Sequence, residues 1–116
     1  MAKLKIVGDK LILELSFLEK LGAFHSSPQA LITAVANVEF AEKLWSNKVL
    51  RGLRAPGTAI PFVLLLGTMR GRKFRDFTAI HGRGAGAIVT LSDGPFDRWI
   101  FTLEQPKGEI EGLTTR

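Results

Sequence analysis

The chain has 116 residues, 46% of them hydrophobic and 23% charged, with a formal net charge of +5. That is the length of one domain, here taken as residues 1–116, with enough surface to bury for one autonomous core. The composition excludes a disordered, collagenous or coiled-coil chain. The absence of cysteine excludes a disulfide framework, a thiolate metal site and a cysteine nucleophile, and two histidines are too few for a zinc site, so no metal or other cofactor is expected.

Asp9 and Lys10 interrupt the start of the chain where a signal peptide would need an apolar run. The longest apolar stretch, Ala59 to Leu66, is far short of the ~20 residues that span a bilayer. The expectation is a cytoplasmic protein without a transmembrane segment.

Lys3 to Val7 and Leu11 to Leu15 alternate apolar and polar residues around Gly8-Asp9, which predicts a hairpin. Ser16 and Glu19 have the spacing of a capping box, in which each side chain satisfies the other's backbone donor, so a short helix is expected over 17–21, stopped by Gly22. Residues 23–30 read as a loop. From Ile32 to Phe40 the even positions are apolar and most odd ones polar, the pattern of a half-buried strand. Residues 42–53 give no clear period, and Arg54-Ala55-Pro56-Gly57 reads as a turn.

Pro61 to Met69 is a short continuous apolar run, expected as a strand covered on both faces. Arg70-Gly71-Arg72 turns the chain into a strand over 73–81, in which Asp76 leaves the buried side ambiguous. A loop over 82–85 leads to a strand over 86–91, a turn at 92–95 and a last strand over 96–103. Pro106 then opens a weak terminal helix over 107–115. Seven short strands in series, hairpin-connected, argue for antiparallel pairing, and closure into a barrel would hide their edges. The expected fold is thus mainly β, a seven-stranded antiparallel barrel with a C-terminal helix.

Several short segments carry a resemblance. They are Val7-Gly8-Asp9-Lys10-Leu11, Ile60-Pro61, Asp76-Phe77, His81-Gly82-Arg83-Gly84, Ile88-Val89-Thr90-Leu91, and Ile100 to Pro106 leading into the terminal helix. With this element order, the chain resembles small bacterial proteins of the pleckstrin-homology-like superfamily. Two departures limit what the resemblance implies. Phosphoinositide-binding members place several cations around the first hairpin, where this chain has Gly8-Asp9-Lys10. Eukaryotic members carry a tryptophan in the closing helix, whereas Trp99 precedes it.

Charge is the clearest functional signal. Residues 43–83 hold nine basic residues against one acid, a block of +8, while the rest of the chain is at −3. Such segregation favours anionic partners. Arg70, Arg72, Lys73 and Arg75 form the densest cluster, and His81 with Arg83 adds a second within a glycine-alternating loop. That loop is followed by a strand pattern, not a helix, so it is no dinucleotide fingerprint, and its plain reading is a turn. Trp45 lies within the basic block as a core plug or an exposed contact.

The resulting reading is a non-enzymatic binding module that meets an anionic protein or a lipid headgroup through a basic face. That face comprises Arg70, Arg72, Lys73, Arg75, His81, Arg83 and Trp45. Nucleic-acid binding by the same face is one alternative. The other is a small hydrolase using His81 with Asp76, which would need an oriented base and an oxyanion pocket that no motif here supplies.

Overall fold

The computed structural model describes residues 3–16, 19–20, 27–42, 44, 53–60, 64–70, 74–82, 85–92 and 96–102. Nine strands run through them: β1 (Lys3–Val7), β2 (Lys10–Glu14), β3 (Gln29–Leu31), β4 (Val35–Ala41), β5 (Leu53–Ile60), β6 (Leu64–Arg70), β7 (Arg75–His81), β8 (Gly86–Leu91) and β9 (Arg98–Thr102). A 3-10 turn at Ile32–Ala34 links β3 to β4. The chain is therefore mainly β. The expected seven-stranded barrel is replaced by two sheets that do not close, one ordered β1-β2-β3 and one ordered β4-β8-β9-β7-β6-β5. Nor is pairing wholly antiparallel, because β9 inserts between β7 and β8, parallel to β7. The helix expected over 107–115 lies outside the described residues.

The first hairpin forms as its sequence requires. Gly8 and Asp9 make a two-residue connection that places Val7 opposite Lys10, and Gly8 takes a φ of 65°, which a glycine adopts without strain. The capping box also forms. The Ser16 N–H donates to Glu19 Oε1 at 3.0 Å, and the Glu19 N–H to Ser16 Oγ at 3.3 Å.

Two strands were masked by their own residues. The Pro56-Gly57 pair, read as a turn, sits inside β5. That strand is an edge of the larger sheet, where the register with β6 shifts between Arg54 and Gly57. A proline, lacking an N–H, is tolerated at edges and bulges. Opposite the shift, Gly67 has a φ of 129°, and its carbonyl accepts the Thr78 hydroxyl at 2.9 Å. The loop expected over 23–30 contains the start of β3, whose three residues pair with β2.

The apolar periods explain how the sheets assemble. Leu4, Leu11 and Leu13 of the small sheet, and Leu15 just after β2, are buried against Phe77, Ala79, Val89, Trp99 and Phe101 of the large one. Fully burying each large apolar side chain contributes about 1.5–3 kcal/mol. Phe77 and Phe96 meet edge to face, with ring centroids 5.3 Å apart. The opposite face of the large sheet is also buried: Leu65, Ile80, Ile88 and Ile100 cluster there with Leu44. Double coverage is why β7 hides five consecutive residues, Asp76 to Ile80, and why neither face of it read as polar in sequence. Gly86 makes that packing possible, since a Cβ there would collide with Leu44 and with the Phe101 carbonyl.

Candidate functional site

Strand β7 carries an ionisable cluster at each end. At its start, Arg75 pairs across the sheet with Arg70, the last residue of β6, so the segment joining the two strands is flanked by a cation on each side. Asp97 fixes the backbone here. The Arg75 N–H donates to Asp97 Oδ2 at 2.7 Å, the Asp97 N–H to the Arg75 carbonyl at 2.6 Å, and the Leu91 N–H to the Asp97 carbonyl at 2.8 Å. One aspartate thus ties the beginnings of β7 and β9 to the end of β8. The Arg75 side chain remains exposed.

One residue on, Asp76 faces the opposite side of the sheet and is fully buried. Its cross-strand neighbour on β9 is Arg98, whose Nε and one terminal nitrogen donate to Asp76 Oδ2 at 3.1 and 2.6 Å. This settles the ambiguity of Asp76: an acid can sit inside a doubly covered strand when a guanidinium neutralises it. The Asp76 carboxylate of this pair is out of reach of solvent.

At the other end, His81 projects from the same side of β7 as Arg75, about 20 Å away at the rise of an extended strand. Its Nε2 lies 3.0 Å from Glu19 Oε2, and the Glu19 side chain is 2% exposed. The Thr102 hydroxyl holds the His81 backbone, accepting its N–H at 2.7 Å and donating to its carbonyl at 3.2 Å. Burial alone would raise the Glu19 carboxyl; the Ser16 N–H and the His81 ring oppose it, and the group titrates below its ordinary value.

The basic face expected from the sequence is therefore divided where it is described. Arg75 is exposed at one end of β7; His81, at the other, is engaged by a carboxylate that any incoming anion would have to displace. Arg70 is placed by its backbone beside Arg75, whereas Trp45, Arg72, Lys73 and Arg83 lie outside the described residues. Asp76 and His81 do not meet, since they project from opposite faces of one strand and each has its own partner. Among the described residues, no group of three or more metal-ligating side chains could hold an ion, and no helix is long and apolar enough to cross a membrane.

Three residues that organise these ends were missed in the sequence: Glu19, Asp97 and Arg98. Glu19 carried a signal as half of the capping box, but its second oxygen reaches a residue 62 positions away. Nothing local announces such a contact.

No protein-family model matches the chain, and neither a curated protein nor a solved structure does so.

Proposed function

We propose that this chain is a non-enzymatic binding module whose β6–β7 end meets an anionic partner, an acidic protein surface or a lipid headgroup layer. The observation that carries the reading is the pairing of Arg70 with Arg75. The sequence between these two residues adds Arg72 and Lys73, so four cations fall within six residues of the chain. A polybasic tip contributes about 1 kcal/mol per cation near an anionic surface, and this attraction weakens as salt screens it. Asp97 supports the tip by holding the Arg75 backbone without capturing its guanidinium in a described contact. The resemblance to the pleckstrin-homology-like superfamily supports binding over catalysis, and a bacterial, cytoplasmic setting belongs to the same proposal. Arg83 and Trp45 are kept as secondary contacts.

The test is binding at low and high salt to phosphatidylserine vesicles, to phosphatidylcholine vesicles, to polyglutamate and to a single-stranded oligonucleotide. Salt-sensitive binding to phosphatidylserine or polyglutamate, weakened at least about tenfold by Arg72→Glu with Arg75→Glu, is the expected result, since 1.4 kcal/mol corresponds to tenfold. Preference for the oligonucleotide would transfer the surface to nucleic-acid binding. Failure to bind any of the four would overturn the proposal.

A further inference from the structure

The small sheet packs on the large one through Leu4, Leu11 and Leu13, so its other face looks outward. The cross-strand register lays that face out in rows. Val7, Lys10 and Leu31 stand side by side next to the Gly8-Asp9 turn; Lys5, Ile12 and Gln29 form the next row, and Lys3 and Glu14 the last. Val7 is 56% exposed and Leu31 48%, and these are the two large apolar side chains among the described residues that face solvent so openly. Single exposed aliphatics are ordinary, but two in one row, with the stem of a lysine between them, make a continuous apolar strip. Ammonium groups lie around it. Lys5 pairs with Glu14 and, with Lys3 and Lys20 adding their charge, holds its carboxyl below the ordinary value. Lys3, Lys10 and Lys20 make no ion pair of their own among the described residues. A shallow groove lies toward each end of the face. One, of about 260 Å³, is lined by Lys10, Gln29, Ala30 and Leu31; the other, of about 350 Å³, by Lys3, Glu14, Leu15, Ser16 and Lys20.

We propose that this face binds an extended acidic segment of another protein, anchored by one aliphatic side chain. Successive rows are two residues apart on each strand, and side chains on one side of an extended segment repeat at the same spacing. An aliphatic side chain seated on the Val7–Leu31 strip therefore brings carboxylates two and four residues further on to Lys5 and to Lys3 with Lys20. Lys10 stands at the strip itself, for an acid next to the anchor. The first and last rows are about 14 Å apart, so about five extended residues reach from one groove to the other. Other occupants fit less well. The face covers roughly 14 by 17 Å, about 240 Å², whereas a stable complex of folded domains buries about 800 Å² on each side. Lys3, Lys5 and Lys10 against Glu14 leave it at +2, so a second copy would meet it with like charge. Asp9, exposed at the turn beside the aliphatic row, would be pressed into the headgroups of an anionic bilayer. The inference uses a different part of the molecule from the basic tip and stands without it.

Arg72→Glu with Arg75→Glu takes the basic tip out of the test. In that background, fluorescence anisotropy with a labelled hexapeptide of one leucine among five glutamates should show saturable, sub-millimolar binding at low salt. Exchanging the peptide's leucine for serine should weaken binding at least about fivefold, as should Leu31→Ser in the protein. Lys3→Glu with Lys10→Glu should weaken it at least about tenfold. Amide chemical shifts of the wild-type protein give an answer that needs no variant: the hexapeptide should move the amides of Lys5 to Lys10 and of Gln29 to Leu31. No binding in the tip-reversed background, equal binding of the leucine and serine peptides, or shifts that leave those amides in place would overturn the proposal. So would phosphatidylserine vesicles that perturb the same amides where the peptide does not, a result that would assign the face to a membrane.

Discussion

At its Arg75 end, strand β7 has its backbone clamped by Asp97 while its outward cation stays in solvent; at its His81 end, the ring is engaged by a carboxylate that is itself buried. Both residues project from the same side of the strand and both belong to the basic block. Their difference lies in what the rest of the chain brings to them. Asp97 arrives with its oxygen directed at a backbone N–H, so the hairpin is stiffened without losing charge. Glu19 arrives on a capping box whose first oxygen accepts the Ser16 N–H and whose second lies against the His81 ring. A basic residue is available to a partner only where the fold has not already supplied its counter-charge.

The contrast can be broken from its structural side first. Arg98→Ala would strand the fully buried Asp76 carboxylate beneath the Arg75 end, and a stability loss of about 3–5 kcal/mol is expected from urea unfolding. A loss below about 1 kcal/mol would show that Asp76 is neutralised by something other than Arg98. Gly86→Ala, near the His81 end, should lose about 2–3 kcal/mol, because a Cβ there meets a backbone carbonyl that cannot move aside as well as the Leu44 side chain that could.

Glu19→Gln probes the closed end more gently. Glutamine preserves the capping contact with Ser16 but removes the charge facing His81, for a loss of about 1–2 kcal/mol at neutral pH. Since the folded state holds the Glu19 carboxyl below its unfolded value, the wild-type advantage is fully present above about pH 4.5 and fades as the pH falls through the folded value. Unfolding midpoints of both proteins across the acid range would check this, and an advantage that grew on acidification would contradict the assignment. The smallest effect on stability is expected at the open end: Arg75→Glu should shift it by no more than about 0.5 kcal/mol, because the Asp97 contact is made by the Arg75 backbone.

Local pattern made the strand-rich class and several elements legible. Residues 3–7 and 86–91 were bounded correctly as strands, the Gly8-Asp9 turn was visible, and the Ser16–Glu19 box formed as its spacing required. What failed had a physical cause in each case. Pro56 and Gly57 obey turn statistics when the neighbouring strand is unknown, and only the edge position of β5 makes them compatible with a ladder. The parallel pairing of β7 with β9 is a choice of topology that no hairpin signal encodes. The basic residues were legible as a list, but their distribution over the two ends of β7 was not. Asp97 and Glu19 act on residues 22 and 62 positions away, beyond the reach of any periodicity.

The most direct test of the account compares charge changes at the two ends of β7 in one binding assay, using phosphatidylserine vesicles and polyglutamate at low salt. Arg72→Glu with Arg75→Glu should weaken binding at least about tenfold, whereas His81→Gln should leave it within about twofold of wild type, a difference of under half a kcal/mol. Equal losses at both ends, or a loss confined to His81→Gln, would contradict it.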